Sequence, residues 1–184
     1  RVRVRLFSHV VSLTGISHSS DDEATPAAVA SRCRGQHGRK GKPVQVSEGI
    51  HRLTQGVANF YLIGESGKYT VVDAGTPGDW AFFARSLAGL GAKLADVDAV
   101  LLTHAHPDHT GFAERARTEA GAQVWIHRAD EQAARTGKTG KRDGKVTSYL
   151  LRAAFYRTTI SLLRRGGGRM IPITEVSAFG DGEQ

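Results

Sequence analysis

From Val44 onward the sequence alternates short apolar runs of strand length with segments whose apolar residues recur at helical spacing. The runs VQVSEGIHRLTQ, ANFYLIG and KYTVVDAG are each typical of a β-strand, and Glu65-Ser66-Gly67 supplies a turn between the last two. The segment DWAFFARSLAGLG is typical of a helix that ends near Gly91. Further along, VDAVLLT, HTGFAERARTEAG and AQVWIH predict a strand, a helix and a strand. This order predicts a layered α/β domain, in which helices cover a sheet.

The composition excludes several other classes of protein. The chain has 184 residues, of which 40% are hydrophobic and 23% are charged, and these are ordinary globular values. No apolar run approaches the roughly 18 residues that a membrane-spanning helix needs, so we expect no membrane span. The single Cys33 cannot form an internal disulfide, which favours a cytoplasmic location.

The net charge of the chain is +7, from 25 basic and 18 acidic side chains. The basic excess lies in the two flanks, whereas residues 44–130 carry more acidic than basic side chains. A basic chain is compatible with binding to nucleic acid or to an anionic membrane surface. Because no nucleic-acid-binding motif accompanies the charge, we favour a solvated surface and predict no specific nucleic-acid partner.

Residues 1–43 differ in character from the rest of the chain. They begin with alternating basic and apolar residues and end in a polar, Gly-rich segment. We predict a poorly ordered basic extension over 1–43 and a folded domain over 44–184. A signal peptide is the alternative, because positive charge precedes apolar residues, but Ser8, His9 and Ser12 interrupt the apolar segment.

The second flank begins after Asp130 with a polar, basic and Gly-rich segment. The segment TSYLLRAAFYRTTISLLRR then predicts a helix, which we expect to pack against the domain rather than lie on a membrane surface. The glycines at 166–168 end this helix, and IPITEVSAF offers one more strand. The predicted apolar side of the helix consists of Leu151, Ala154, Phe155, Thr158 and Leu162.

Four residues of metal-ligating type follow the apolar strand VDAVLL within a short run. The run is Thr103-His104-Ala105-His106-Pro107-Asp108-His109, in the pattern H-x-H-x-D-H. A lone histidine is usually structural, but imidazole nitrogen and carboxylate oxygen together suit Zn²⁺. The end of a buried strand is also a rigid support, at the usual mouth of an α/β active site.

The spacing within the run suggests how these side chains are directed. His104 and His106, two residues apart on extended backbone, can point the same way. Pro107 turns the chain, and we expect Asp108 and His109 to open the next helix from another direction. We therefore predict two ligand pairs that face two neighbouring positions.

The run and its setting resemble the metallo-β-lactamase superfamily of zinc-dependent hydrolases. The resemblance rests on the H-x-H-x-D-H run, on the upstream VVDAG, and on the order of hairpin, helix and strand between them. It covers residues 44–130 well and residues 131–184 loosely. It implies an αββα sandwich, of which this chain would supply the first half, a mixed sheet with helices on one face.

The resemblance also implies roles for individual residues. His104 and His106 would bind a first metal ion, and Asp108 and His109 a second. Asp73, in VVDAG, would be a supporting acidic residue that orients the ligands. The implied cofactor is one or two Zn²⁺ ions, although other divalent metals are compatible.

The implied activity is hydrolysis of a small-molecule substrate. A metal-bound hydroxide would attack an ester, thioester, lactone or β-lactam type of bond. Asp108 would be the catalytic residue that holds this hydroxide in line. The sequence does not indicate which of these bonds is hydrolysed.

The sequence departs from the family after His109. Members supply a third histidine to the first metal from a downstream loop, whereas here only His127 follows, at a position that does not match. We expect His127 to be structural or on the surface, and the domain to be truncated at its C-terminus. A truncated, catalytically incompetent fragment that binds metal weakly is therefore the alternative function. We also expect the uncovered inner face of the sheet to promote self-association.

Overall fold

The computed structural model describes residues 41–55, 57–138 and 153–182, and residues 153 and 154 by their backbone alone. All its elements lie in one compact unit that extends to Gly180. The strands are β1 (Val44–Ser47), β2 (Ile50–Thr54), β3 (Asn59–Glu65), β4 (Lys68–Val72), β5 (Val97–Leu102), β6 (Gln123–His127) and β7 (Ser177–Phe179). The α-helices are α1 (Trp80–Gly89), α2 (Ala113–Ala120), α3 (Arg128–Thr136) and α4 (Ala153–Arg164). Short 3₁₀ turns cover Pro77–Asp79 and Leu94–Asp96.

The strands form one mixed sheet in the order β1-β2-β3-β4-β5-β6-β7. The first four strands are antiparallel neighbours, and β4 to β7 run parallel to one another. Parallel neighbours need crossover connections, which α1, α2 and α3 help to supply. Because β4 and β5 are parallel, the segments that follow Val72 and Leu102 emerge at the same edge of the sheet.

The alternation of side chains along the strands explains where the core lies. Phe60, Val71, Val100 and Val124 are buried on one face of the sheet. The buried residues of α1, α2 and α3 join the same cluster, so these helices cover that face. The cluster includes four aromatic rings in edge-to-face, tilted or stacked contact, from Phe60, Trp80, Phe83 and Phe112.

The alternate residues of the strands form a second, apolar face. Register places Tyr61 opposite Val72, Val72 beside Leu101, and Leu101 beside Trp125. All four side chains are half-buried. The prediction of a mixed sheet with helices on one face is therefore confirmed.

The structure differs from the sequence prediction at the first strand. The segment VQVSEGIHRLTQ is not one strand, because β1 and β2 pair as a hairpin that turns at Glu48 and Gly49. Gly49 has a φ of 68°, in the left-handed region that glycine adopts without strain. A Cβ atom there would lie 2.8 Å from the carbonyl oxygen of Gly64, so the turn needs glycine for space as well.

The predicted helix in the second flank is present as α4, and a turn with Gly166 at φ 76° follows it. Of its predicted apolar side, Phe155 and Leu162 are half-buried and Thr158 is exposed. Leu151, like most of the predicted 1–43 extension, lies outside the described residues. Within the described ranges, no helix has both the length and the apolar character to cross a membrane.

Candidate metal centre

Two loops at the carboxyl edge of the sheet support the histidine-rich run. One loop follows β4 and begins with Asp73, and the other follows β5 and contains His109. The carbonyl oxygens of His109 and Gly75 accept hydrogen bonds from the backbone N–H groups of Ala74 and Gly111, with N···O distances of 2.6 and 2.9 Å. The N–H of Phe112 donates to the carbonyl of Ala74 at 3.0 Å. Backbone pairing therefore fixes the two loops against each other.

The close approach of these loops depends on a glycine. A Cβ atom added at Gly111 would lie 2.3 Å from the carbonyl carbon of Thr76 and 2.4 Å from the carbonyl oxygen of Gly75. Real Cβ atoms do not approach backbone atoms this closely, so a side chain at residue 111 would force the loops apart.

Asp73 is the residue that links the two loops through its side chain. It is 7% exposed and has a φ of 61°, a left-handed conformation that is uncommon for residues other than glycine. Its N–H donates to the carbonyl of Leu101 at 2.9 Å. Its Oδ1 atom accepts hydrogen bonds from the backbone N–H and the hydroxyl of Thr103, both at 2.9 Å. These contacts direct the carboxylate toward the loop that follows β5.

His109 is held by the same carboxylate. Its Nδ1 atom lies 2.8 Å from Oδ2 of Asp73 and, facing an ionised carboxylate, acts as the donor. The hydrogen bond to Asp73 is the main cause that raises the pKa of His109 above its usual value. The Nε2 atom of His109 lies 3.7 Å from Oδ2 of Asp108, so these two predicted ligands are neighbours.

His104 is connected to Asp73 through Thr103. The Thr103 hydroxyl donates its single proton to Asp73, so its oxygen is the acceptor for His104 Nδ1, 3.0 Å away. This hydrogen bond leaves the Nε2 atom of His104 as a potential ligand. Burial, followed by the neighbouring His109 and His106, lowers the pKa of His104.

The three imidazoles of the run form one cluster. The ring centroid of His104 lies 4.1 Å from that of His109 and 4.6 Å from that of His106. His106 is exposed, whereas its carbonyl accepts hydrogen bonds from the N–H groups of His109 and Thr110, at 3.0 and 2.9 Å. The structure therefore brings together all the residues that the sequence singled out.

One geometric expectation about the run is corrected. Asp108 and His109 do not open the next helix, because a turn tied by the His106 carbonyl contains them and α2 begins only at Ala113. The expectation of two ligand pairs that face neighbouring positions stays a prediction.

The donor atoms of the run fit a metal ion individually rather than as a complete ligand set. In the ranges that the structure describes, no group of three or more His, Cys, Asp or Glu side chains is arranged to hold a metal. The chemistry of the individual donors fits zinc, because the Nδ1 atoms of His104 and His109 are engaged in hydrogen bonds that leave each Nε2 as the potential ligand. The histidines therefore present donor atoms of the type that zinc binds. No three side chains of the described residues form one complete ligand set.

His127 ends β6, the strand next to β5, and its side chain has structural contacts. Its Nδ1 atom accepts a hydrogen bond from the N–H of Ala129 at 3.2 Å, so the side chain caps the first turn of α3. Its ring packs edge-to-face on Phe179. These contacts agree with the expectation that His127 is not a ligand.

Sequence reasoning missed Thr103 and Asp79. Asp79 is buried, and its Oδ2 atom accepts hydrogen bonds from the N–H and hydroxyl of Thr76, at 2.8 and 2.7 Å. Its Oδ1 atom accepts from Arg165 Nη1 at 2.8 Å. The order Thr76-Pro77-Gly78-Asp79 is a capping-box signal that predicts the contact with Thr76. The contacts of Thr103 and Arg165 join distant segments and have no local signal.

The fold and the loop together define a layered α/β protein with a candidate metal centre at the carboxyl edge of its sheet. A sequence profile of the Metallo-beta-lactamase superfamily matches residues 53–177. Because the match covers more than half of the chain, the chain belongs to the metallo-beta-lactamase superfamily.

Two curated relatives come from Bacillus subtilis (strain 168). The probable metallo-hydrolase YflN is 30% identical over 92 residues, which make up 48% of this chain and 35% of the relative. The uncharacterized protein YobT is 37% identical over 73 residues, which make up 39% of this chain and 30% of the relative. The chain therefore spans about a third of the length of these relatives.

Solved structures show the same fold. The metallo-beta-lactamase SMB-1 bound to 2-mercaptoethanesulfonate is 25% identical with a TM-score of 0.60, over 77% of this chain and 48% of that chain. A metallo-beta-lactamase of Cronobacter sakazakii is 22% identical with a TM-score of 0.57, over 78% of this chain and 49% of that chain. The chain thus spans about half the length of these structures.

Proposed function

We propose that the chain contributes the metal-binding loop of a zinc-dependent hydrolase. The observation that carries this proposal is the position of the Asp73 carboxylate, which holds His109 directly and His104 through Thr103. A carboxylate behind a ligating histidine fixes the tautomer and the orientation of the ring, and it increases the basicity of the ligand. A buried carboxylate that orients two histidines is what a metal site needs, whereas a surface turn does not need one.

Within this proposal the four residues of the run have separate roles. His104 and His106 would hold a first ion, and Asp108 and His109 a second. Zinc, when bound, lowers the pKa of water to about 7 and polarises the carbonyl or phosphoryl group that is attacked. Asp108 would accept a hydrogen bond from the attacking water and keep it in line with the substrate. A first ion held by His104 and His106 would be one short of the usual three protein ligands.

The proposed substrate is a small molecule with an ester, thioester, lactone or β-lactam type of bond. The support comes from superfamily membership and from SMB-1, which is a metallo-beta-lactamase by name. The chain covers 48% of SMB-1, so contacts from the remaining half of such an enzyme would decide among these bonds.

A second candidate function is metal binding without hydrolysis. The observation that favours it is the lack, among the described residues, of any group of three side chains arranged as ligands. A chain of this kind would bind zinc weakly and release it to a chelator.

The domain assignment to 44–184, its truncation and the cytoplasmic location stay predictions.

The experiment that tests the hydrolase measures zinc content and hydrolysis on the same samples. The chain, His106→Ala and His127→Asn are each loaded with zinc, freed of excess metal, and tested with a chromogenic β-lactam and a thioester. His127→Asn is the matched control, because asparagine still caps a helix. We expect His106→Ala to lose most of its zinc and His127→Asn to retain it.

Each outcome of this experiment has a distinct meaning. Equal zinc in all three proteins would refute the assignment of His106 as a ligand. Zinc binding that depends on His106, together with hydrolysis of either substrate, would support the hydrolase. Zinc that depends on His106 without any hydrolysis would support the second candidate.

We also propose that the chain self-associates through the second face of the sheet. Four half-buried apolar side chains lie in one row across four strands there, from Tyr61 to Trp125. The part of this apolar row that is left accessible would promote association. In sedimentation experiments we expect the chain to form dimers or larger species, and Trp125→Glu to reduce them. A compact monomer would contradict the proposal.

A further inference from the structure

The end of α4 packs against the turn that follows the Asp73 loop. The backbone N–H of Gly78 donates a hydrogen bond to the carbonyl of Arg165, with an N···O distance of 2.9 Å. A Cβ atom added at Gly78 would lie 3.1 Å from the same carbonyl oxygen, so the two backbones are close. The Nη1 atom of Arg165 also lies 2.8 Å from Oδ1 of Asp79. Arg165 therefore contacts this turn through both its backbone and its side chain, across 86 positions of the sequence.

The carboxylate of Asp79 connects Arg165 with the backbone of the Asp73 loop. Asp79 is 2% exposed, and its Oδ2 atom accepts hydrogen bonds from the N–H and the hydroxyl of Thr76. A Cβ atom added at Gly75 would lie 2.9 Å from the same Oδ2 atom, so the carboxylate rests against the backbone of Gly75. A buried carboxylate is stable only where donors surround it, and Arg165 supplies a charged donor.

The backbone of Gly75 and Thr76 is in turn the surface on which the histidine-containing loop rests. The N–H of Gly111 donates to the carbonyl of Gly75 at 2.9 Å, and its Cα lies close to the backbone of Thr76. One residue earlier in the same loop, Ala74 donates its N–H to the carbonyl of His109 at 2.6 Å. The contacts from Arg165 to the histidine-rich run are therefore continuous.

These contacts give the ion pair an effect beyond the attachment of α4. Loss of the Arg165 guanidinium would leave the buried carboxylate of Asp79 with fewer donors. An incompletely paired buried charge is costly, and the least costly response is for the turn to open toward water. Because Gly75 and Thr76 support the loop that follows β5, such an opening would shift that loop too. A binding site needs its side chains held within about 0.5 Å, so the shift would weaken metal binding.

We propose that Arg165 and Asp79 are positioning residues of the candidate metal centre. The pair holds the loop after β4 in the conformation that lets the loop after β5 present its histidines to a metal ion. Neither residue contacts the metal or the substrate, and both act through the backbone of Gly75 and Thr76. This inference rests on the proposed function, because it assigns the pair a role in the same site.

The first test measures the zinc affinity of the full chain and of Arg165→Gln by competition with a chromogenic chelator. Both are measured where circular dichroism shows complete folding. We expect Arg165→Gln to bind zinc about three- to tenfold more weakly, a range usual for residues that act on a site through others. A pair that only stabilised the fold would change the free energy of unfolding and leave the zinc affinity of the folded chain unchanged.

Two further variants connect this effect to the ion pair. Arg165→Lys keeps a cation beside Asp79, and we expect it to retain more of the zinc affinity than Arg165→Gln does. Arg164→Gln is the matched control, because Arg164 is an exposed arginine at the end of the same helix. We expect Arg164→Gln to bind zinc as the unaltered chain does.

The second test needs no metal. Amide hydrogen exchange, followed by NMR with a chelator present, reports the opening of the two loops at the N–H groups of Ala74 and Gly111. We expect these amides to exchange several-fold faster in Arg165→Gln than in the unaltered chain. The amides of β5 are the internal reference, and we expect their exchange to change less.

The outcomes separate this inference from the proposed function. Equal zinc affinity in the chain and in folded Arg165→Gln would overturn the positioning role and leave the proposed function intact. An equal loss of affinity in Arg164→Gln would also overturn it, because general charge would then explain the effect. A chain that binds no zinc would contradict the proposed function. The exchange of Gly111 would still decide whether the pair holds the loops, and an unchanged rate in Arg165→Gln would refute that it does.

Discussion

The Nδ1 atom of His109 lies 2.8 Å from Oδ2 of Asp73, although the two residues are 36 positions apart in the sequence. Asp73 follows β4 and His109 follows β5, so the contact exists only because these strands are parallel neighbours. The same carboxylate accepts hydrogen bonds from Thr103, which in turn contacts His104. One buried acidic side chain therefore sets the orientation of two predicted ligands.

This relationship predicts the effect of Asp73→Asn on metal binding. Asparagine tolerates the left-handed φ of residue 73, so we expect the fold to persist. An amide N–H that faces His109 would make Nδ1 the acceptor and so place the proton of the imidazole on Nε2. The lone pair of Nε2 would then not be free to bind the metal. We expect zinc affinity to fall by about 10- to 100-fold, as is usual for the loss of such a partner.

Competition with a chromogenic chelator measures this change in affinity. Asp98→Asn is the matched control, because Asp98 is an exposed carboxylate on β5 that pairs with Lys68. Unchanged zinc affinity in folded Asp73→Asn would show that Asp73 does not orient the ligands.

The contact between Gly111 and the Thr76 backbone predicts a loss of stability in Gly111→Ala. The added Cβ would lie 2.3 Å from a backbone carbon, which cannot move without separating the two loops. We expect a loss of about 3 kcal/mol or more in the free energy of unfolding, within the range of severe steric substitutions. Urea denaturation measures it.

Gly89→Ala is the control for this substitution. A Cβ at Gly89 meets no atom within 4 Å, and the residue lies at the end of α1. We expect a gain of up to about 1 kcal/mol from helix propensity. Similar losses in both variants would mean that the close approach at Gly111 does not limit stability.

Much of the fold follows from local pattern, because strand and helix periods are properties of neighbouring residues. β3, β4, β5 and β6 lie where apolar runs predicted them, and α1 lies where helical spacing predicted it. The hairpin between β1 and β2 was missed, although Glu48-Gly49 is a turn signal, because the flanking residues alternate as in one continuous strand.

The site was predictable in its residue types and less so in its geometry. The order of His104, His106, Asp108 and His109 after β5 indicated ligands, and the resemblance supplied a role for Asp73. Neither could show that the Thr103 hydroxyl links Asp73 to His104, nor that Gly111 lets the two loops touch. The contact of Thr103 with Asp73 and that of Gly111 with the Thr76 backbone join residues 30 or more positions apart and leave no periodic pattern in the sequence.

Glu114 predicts a dependence of stability on pH. The hydrogen bond from Arg117 is the main cause that lowers the pKa of Glu114, and hydrogen bonds from Thr174 lower it further. A carboxyl whose pKa is lower in the folded state stabilises that state above the unfolded pKa, and the contribution is lost as pH falls through the folded pKa. We therefore expect the Glu114 contribution to be complete at neutral pH and to vanish in acid.

Urea unfolding at about pH 7 and at about pH 3 checks this expectation. The chain should lose more stability between these values than Glu114→Gln, which cannot titrate at this position. Glu119→Gln is the control, because Glu119 forms an exposed ion pair with Arg115 on the same helix. An equal acid loss in the chain and in Glu114→Gln would refute the prediction.

Two ion pairs of equal length allow the effect of burial to be measured within one molecule. Arg165 Nη1 and Asp79 Oδ1 are 2.8 Å apart, and so are Lys68 Nζ and Asp98 Oδ1. The side chain of Asp79 is 2% exposed and that of Arg165 is 27% exposed, whereas those of Lys68 and Asp98 are 53% and 48% exposed. Solvent screens the second pair much more than the first.

Because of burial, the coupling energy of the Arg165–Asp79 pair should be larger than that of the Lys68–Asp98 pair. Asp79 also accepts two hydrogen bonds from Thr76, so removing Arg165 leaves a buried carboxylate with fewer donors. We expect a double-mutant cycle of Asp79→Ala and Arg165→Ala to give a coupling energy of about 1–3 kcal/mol. We expect a smaller coupling energy for Lys68→Ala and Asp98→Ala, and one that falls further as salt is added. Urea denaturation at low and high salt measures both cycles. Equal coupling energies at low salt would mean that distance alone, not burial, determines the strength of these pairs.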